Sequence, residues 1–238
     1  MHMLRFFALL AGLVSVAAVD AQAAAPANAT DGAALVLDVR MRYETVDDDA
    51  LARDAQASTL RARIGWRSPS RSGWNVYAEV EGTQSIAGDS FNSTANGRTS
   101  YPVIADPDNS ELNQLYVNYQ ADSNSRVTLG RQRLLYDNQR FFGAVGWRQN
   151  EQTFDALDAQ YRSANGVTVR YSYLDRVQRV FGSDNPNRTL ARWDLDAHLF
   201  SAAVSAGPGM VTAYAHLIDN QTLPLNSQRN LGDRKSVV

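Results

Sequence analysis

The chain has 238 residues, a formal net charge of −2 and no cysteine. The missing cysteine excludes a disulfide framework, a thiolate nucleophile and a thiolate metal site, and a charge so close to zero singles out no partner. The length could bury one or two soluble cores, so the fold class has to come from the pattern along the chain.

Met1 to Arg5 form a short basic start, Phe6 to Val19 are apolar, and Ala21, Gln22 and Ala23 supply small residues at a cleavage site. This order predicts a secretory signal peptide over residues 1–23, with the mature protein beginning near Ala24. A retained anchor helix needs roughly twenty apolar residues, and Asp20 interrupts the run too early. No second hydrophobic run is long enough to cross a membrane as a helix.

Beyond the leader the hydrophobic period is two, which predicts strands. Leu35, Leu37, Val39, Met41 and Tyr43 alternate with Val36, Asp38, Arg40, Arg42 and Glu44. The second strand sets Leu60, Ala62, Ile64 and Trp66 against Arg61, Arg63 and Arg67, and the third sets Trp74, Val76, Ala78 and Val80 against Asn75, Tyr77, Glu79 and Glu81. Leu115, Val117 and Tyr119 oppose Gln114, Tyr116 and Asn118 in the fourth. The segments around Leu129, Leu157 and Leu199 alternate less cleanly. The strand from Val167 to Tyr173 and the strand from Val211 to Leu217 restore the pattern.

The connectors alternate between short and long. Trp66 to Gly73, Ala121 to Ser125, Arg162 to Asn165 and the Gly207-Pro208-Gly209 turn are short, whereas Thr83 to Ser110 and Arg133 to Glu151 are long. Outer-membrane barrels have short periplasmic turns and long outer loops, so this rhythm predicts an antiparallel transmembrane β-barrel and orients it. A soluble sandwich also alternates, but it gives no reason for aromatics to collect at strand ends. Trp66, Trp74, Tyr119, Tyr161 and Trp193 do so here, where amphipathic rings form interfacial girdles.

If the apolar face meets lipid, the charged face lines the lumen. Arg40, Arg42, Arg61, Arg63 and Arg170 are then expected to project inward with Asp38, Glu79, Glu81, Asp194 and Asp196. Such rows suit either a wet conduit that selects a charged solute or ion-pair ladders that brace the wall. The four arginines on the first two strands exceed the nearby acids and suit carboxylate or phosphate ligands.

The run Leu129-Gly130-Arg131-Gln132-Arg133, then Asp137 to Phe141, then Gly146-Trp147-Arg148-Gln149-Asn150-Glu151-Gln152-Thr153-Phe154-Asp155 resembles the alginate export family of outer-membrane porins. The resemblance implies a monomeric barrel of about eighteen strands passing an anionic polysaccharide, or a related small anionic solute, through an arginine-lined pore. Carried over residue by residue, it marks Arg131, Arg133, Arg140 and Arg148 as pore or constriction residues. Asp137, Asn138, Gln139, Asn150 and Glu151 are marked as loop-ordering partners. The loop can fold inward to narrow the lumen, or pack on the inner wall through Phe141, Phe142 and Trp147. Outer-membrane lipid and lipopolysaccharide are the expected surroundings, with no cofactor and no nucleic acid.

Counted from a periplasmic start, the ninth strand rises from Gly209, and the polar segment Asp219 to Val238 follows. Bacterial single-chain barrels close with an even number of strands, and the chain finishes Arg234-Lys235-Ser236-Val237-Val238 without a terminal aromatic. The expectation is that residues 24–233 are the N-terminal part of an all-β barrel of about sixteen to eighteen strands, followed at 234–238 by a tail foreign to it.

Catalytic signals are weak. His198 and His216 are the candidate bases and lie within predicted strands without a local Ser or Asp pairing. Asp47, Asp48 and Asp49 suit a solvated outer loop or a divalent-cation contact with lipopolysaccharide. Asp106, Asp108 and Ser110 imitate the opening of a calcium loop, but Glu111 and Val117 occupy the places of its Gly and Glu. A passive channel is the leading expectation, with a barrel enzyme or a non-conducting surface barrel as alternatives.

Overall fold

The computed structural model describes residues 32–136, 139 and 142–237; the expected leader and the site residues Asp137, Asn138 and Arg140 lie outside them. Ten strands follow in order: β1 (Ala34–Val46), β2 (Ala55–Arg67), β3 (Trp74–Ser90), β4 (Asn109–Gln120), β5 (Ser125–Gln132), β6 (Thr153–Arg162), β7 (Thr168–Gln178), β8 (Arg192–Ala206), β9 (Gly209–Asn220) and β10 (Gln228–Val237). They form one antiparallel meander in which every strand pairs with its sequence neighbours. Nine are the strands that the alternation predicts. The tenth arises inside the segment read from sequence as polar, with Asn230 opposite His216 and Arg234 opposite Thr212.

The two faces are inverted relative to a water-soluble sheet. On β1, Leu35 is 75 % exposed and Met41 65 %, whereas on β2 the paired face buries Arg61 to 4 % and Arg63 to 5 %. A soluble core puts charges outside and aliphatic residues inside. Here the aliphatic face looks out and the charged face looks in, as strands in lipid require. No helix among the described residues is long and apolar enough to cross a membrane; the crossing elements are strands.

Every short connector lies at one end of the sheet: 68–73, 121–124, 163–167 and 207–208. Gly73 closes the first of these at φ +83°, where a Cβ would stand 2.3 Å from the Gln120 carbonyl oxygen. Three of the outward aromatics, Trp66, Trp74 and Tyr161, stand at this same end. They are about half exposed, and the Trp74 and Tyr119 rings pack with centroids 4.5 Å apart. Trp193 departs from the expected girdle. It turns inward, donates its indole N–H to the Thr189 carbonyl at 2.8 Å and packs against the inner core.

The long connectors, 47–54, 91–108, 133–152, 179–191 (with the short helix α1, Arg188–Ala191) and 221–227, lie at the opposite end. Two of them fold onto the inner face. Phe91 and Ile104 of the second pack on Ala55 and Ala57 of β2. Leu134, Tyr136 and Phe142 of the third pack on Phe154, Leu174, Val177, Leu195 and Leu199 of β6, β7 and β8. The hydrophobic core therefore sits within the curve of the sheet, between loop and inner wall.

Candidate pore-lining site

Charged side chains from the inner faces of β1 to β4 meet the loop 133–152. Strand alternation places Arg40 and Arg42 inward, and the loop tip comes to them. Arg40 donates through Nε to Gln149 Oε1 at 2.8 Å, through Nη1 to the Gly146 carbonyl at 2.9 Å, and through Nη2 to the Arg148 carbonyl. Arg42 bonds Glu44 at 2.6 Å, Asp106 at 3.2 Å and the Trp147 carbonyl at 2.8 Å. Arg148 reaches the same Glu44 at 3.1 Å and lies 4.0 Å above the Trp147 ring. Gln149 is fully buried and donates to Thr59 Oγ1 at 2.9 Å, while its backbone N–H donates to Asp106 Oδ1 at 2.9 Å.

A second buried cluster holds the base of the loop. Glu151 accepts from Arg133 Nε at 2.7 Å, pairs with Arg63 at 3.4 Å, and accepts from Asn113 at 2.8 Å. The same Asn113 amide donates to Glu79 at 2.8 Å. It can do so because the register shift opposite Glu79 and Val80 turns both Asn113 and Gln114 inward. Burial pushes the Glu151 carboxyl up, but Arg133 and Arg63 outweigh it and hold the group below the ordinary carboxylate range. Burial likewise works against the charge of Arg133, and Glu151 reverses this to raise its pKa.

On the other wall Arg170 bonds Asp158 at 2.7 Å, donates to the Leu135 carbonyl at 2.7 Å and lies 4.0 Å over the Tyr136 ring. Arg61 is tied to Asp38 at 2.7 Å. Of the expected loop-ordering residues, Asn150 and Glu151 are buried at the loop base, and exposed Gln139 donates its backbone N–H to the Tyr136 carbonyl at 2.8 Å. Phe142 packs inside while Trp147 is 58 % exposed, so the loop both reaches across the lumen side and docks on its wall.

Three expected lumen residues stand on the other face. Arg131 shares the outward side of β5 with exposed Val127 and Leu129, and binds Asp155 at 2.7 Å. Asp194 and Asp196 lie outward on β8, because Leu195, Ala197 and Leu199 turn inward beneath the loop. Arg176 bridges Asp155 and Asp194 at 3.5 and 2.8 Å, which makes an outer ion-pair ladder. Arg131, Asp194 and Asp196 are therefore corrected from lumen to outer surface.

His198 is on that outer face too, bonded to Tyr171 Oη at 2.9 Å and 3.5 Å from Asp196. His216 is buried among Tyr136, Phe142 and Tyr214. Asp106 and Asp108 spend their oxygens on Gln149 and Ser85. Among the described residues no group of three acids or histidines is placed to hold a metal. Gln149, Asp106, Asn113, Tyr136 and Asp158 are site residues that sequence reasoning did not single out as such. For Gln149 the signal was its place inside the Trp147 to Asp155 run.

The profile of the family described as alginate export matches residues 33–178, more than half of the chain. Among solved structures, OccK9 (OpdG) of Pseudomonas aeruginosa is similar at 15 % identity and a TM-score of 0.47, over 87 % of this chain and 64 % of that one. A BenF-like porin from Pseudomonas fluorescens Pf-5 is similar at 10 % identity and a TM-score of 0.48, again over 87 % and 64 %. OccAB4 of Acinetobacter baumannii gives 11 % identity and a TM-score of 0.44, over 89 % and 66 %. The chain thus spans just under two thirds of the length of these structures. No curated protein matches.

Proposed function

The chain belongs to the alginate export family, whose members are β-barrels of the bacterial outer membrane, and from that premise we propose that it contributes to a passive channel for an anionic polysaccharide such as alginate, or for a smaller anionic solute. One observation carries the reading: the apolar face of the sheet is exposed while arginines and carboxylates occupy the concave face under infolded loops. That arrangement suits a wet lumen crossed by charge. In it, Arg40, Arg42, Arg61, Arg63, Arg133, Arg148 and Arg170 shape the wall, and Arg40 with Arg42 fixes the loop that narrows it. Lipopolysaccharide surrounds the outer ladder, and no catalytic step is assigned.

The test is electrical. The protein reconstituted in planar bilayers should conduct, and its reversal potential in a potassium chloride gradient should report anion preference. An absence of conductance would leave a surface barrel without an open pore, and cation preference would refute anionic cargo.

A further inference from the structure

Pro69 has no backbone N–H, and the ladder between β2 and β3 stops just short of it, at Arg67 opposite Tyr77. The chain closes again at Arg71 and Trp74, which exchange two backbone hydrogen bonds of 2.9 Å around Ser72 at φ +50° and Gly73 at φ +83°. Both central residues are left-handed, as a tight two-residue hairpin turn requires. Between these two pairings three residues, Ser68 to Ser70, oppose two, Asn75 and Val76. The surplus residue makes a bulge. Ser68 braces it, donating its N–H to the Val76 carbonyl and accepting the Val76 N–H on its hydroxyl, both at 2.9 Å.

The bulge borders a groove of about 340 Å³, lined by Pro69 of the turn, Trp74 and Val76 of β3, and Val117 of β4. Val76 and Val117 stand directly opposite each other. Trp74 is 53 % exposed and Val117 37 %, on the face that looks away from the arginine-lined wall. The groove is therefore reached from the membrane and not from the lumen. Arg71 is the one charged residue that lines it. It is exposed and, among the described residues, has no carboxylate partner. It is also the one cation in the four short connectors 68–73, 121–124, 163–167 and 207–208. Asp122 of the neighbouring turn accepts the backbone N–H groups of Asn124 and Ser125, both at 2.7 Å.

We propose that this groove binds one glycerophospholipid of the periplasmic leaflet, with an acyl chain over Val76 and Val117 and the phosphate on Arg71. The inference goes beyond the channel and needs no conduction; it rests on the outward face meeting lipid. Groove and cation stand where the chain and headgroup of such a lipid meet. Trp74 marks that boundary, as aromatic rings do at a membrane interface, and Arg71 is three residues earlier, in the turn. An acyl chain in the groove gains the dispersion contacts that an unfilled hollow forfeits. The guanidinium fork matches a phosphate bidentately, and beside hydrocarbon that attraction is stronger than in bulk water. A lipid without phosphate fills the groove but leaves the fork unpaired. Because no second charged residue lines the groove, the phosphate is recognised and not the alcohol attached to it.

Native mass spectrometry of the detergent-solubilised chain tests the site, with dioleoyl phosphatidylglycerol, dioleoyl phosphatidylethanolamine and phosphate-free dioleoylglycerol as probes. The first molecule of either phospholipid should bind about tenfold more tightly than later ones and than dioleoylglycerol, the worth of one charge-assisted hydrogen bond. Arg71→Gln should abolish that advantage for both phospholipids and leave dioleoylglycerol unchanged, while Arg71→Lys keeps part of it. Val117→Trp should fill the groove and weaken the first step for all three lipids. Arg131→Gln, at the loop end of the outer face, should change nothing. Unchanged heat-modifiable migration of the variants confirms that they are folded. A series of equal weak steps, equal binding of dioleoylglycerol, or a first step indifferent to Arg71→Gln or to Val117→Trp overturns the site and leaves annular lipid only. A chain that conducts without the tight first step loses the site and keeps the channel. One that shows the step but does not conduct loses the channel and keeps the site.

Discussion

Replacing Val39 by Arg asks whether the outward face is in lipid. Val39 is five residues above Ala34, the first residue of β1, and points outward at 60 % exposure opposite Ala62. At about 3.3 Å per residue and a tilt near 45°, it stands roughly 12 Å above the foot of the strand. This is close to the middle of an apolar band about 25 Å tall. Leu35, one residue above the foot and 75 % exposed, stands only about 2 Å up by the same arithmetic. Val39→Arg should cost about 2–4 kcal/mol and Leu35→Arg about 0–1 kcal/mol, whereas on a water-exposed sheet both would stay within about 0.5 kcal/mol. The difference, about 1 kcal/mol or more, is at least about fivefold in the folding equilibrium. It can be read from urea titrations of folding into phospholipid vesicles, followed by the fluorescence of Trp66 and Trp74. Two equal costs, both below about 0.5 kcal/mol, would refute the lipid-facing assignment.

Three further substitutions and one pH series address the inner wall. Glu151→Gln leaves Arg133 and Arg63 without their shared carboxylate and should destabilise the loop base by about 3 kcal/mol, seen as new protease cleavage within 133–152 while the strands stay protected. Because the folded-state pKa of Glu151 lies below its ordinary value of 4.5, the stabilisation is complete above pH 4.5 and is lost as pH falls through the lowered value. Pepsin should then cut the wild-type loop only at the acid end of a pH series. Phe142→Ala removes a ring packed on Tyr136, Phe154 and His216 and should cost about 3–5 kcal/mol, lowering the temperature of the heat-modifiable shift. Arg131→Gln should leave the anion-to-cation permeability ratio unchanged, since Arg131 faces away from the lumen; a shifted ratio would put it back inside.

Where the sequence could be read, it was because one solvent lay on each side of a strand. Leu35 to Tyr43 against Asp38 to Glu44 is unambiguous, and the observed exposure follows it residue by residue. The rule that apolar residues face lipid fails on β8, where Leu195, Ala197 and Leu199 face a lumen filled by Leu134, Tyr136 and Phe142. There the inner wall is as dry as the outer one, and Asp194, Asp196 and Trp193 exchange places accordingly. Arg131 has the parity of Val127 and Leu129, and the family likeness of the surrounding motif outweighed that local signal. β10 has no alternation to read; pairing with β9 supplies its strand conformation. The bulge that turns both Asn113 and Gln114 inward has no signature in residue type.

Charge counting changes what the arginine-rich wall can be expected to do. The occupied inner arginines, Arg40, Arg42, Arg61, Arg63, Arg133, Arg148 and Arg170, share their wall and loops with Asp38, Glu44, Glu79, Glu81, Asp106, Glu111, Glu151 and Asp158. The carboxylates are at least as numerous as the guanidinium groups, so this network has little net field to draw in an anion, however many arginines it contains. Its geometry is better suited to holding two loops in place. A preference for anions then depends on cations outside the network, and two stand on the same wall: Arg67 at the end of β2, 5.5 Å from the Tyr77 ring centroid, and Arg126 near the foot of β5, bonded to Gln160 at 3.0 Å, neither paired with a carboxylate among the described residues. Neutralising those two should move the reversal potential further than removing any one ion-paired arginine. The effect should fade as salt rises, since charges facing an aqueous lumen are screened over about 10 Å at 0.1 M. A larger shift from Arg61 or Arg170 would mean that the ion-paired network, not Arg67 and Arg126, sets the field of the lumen.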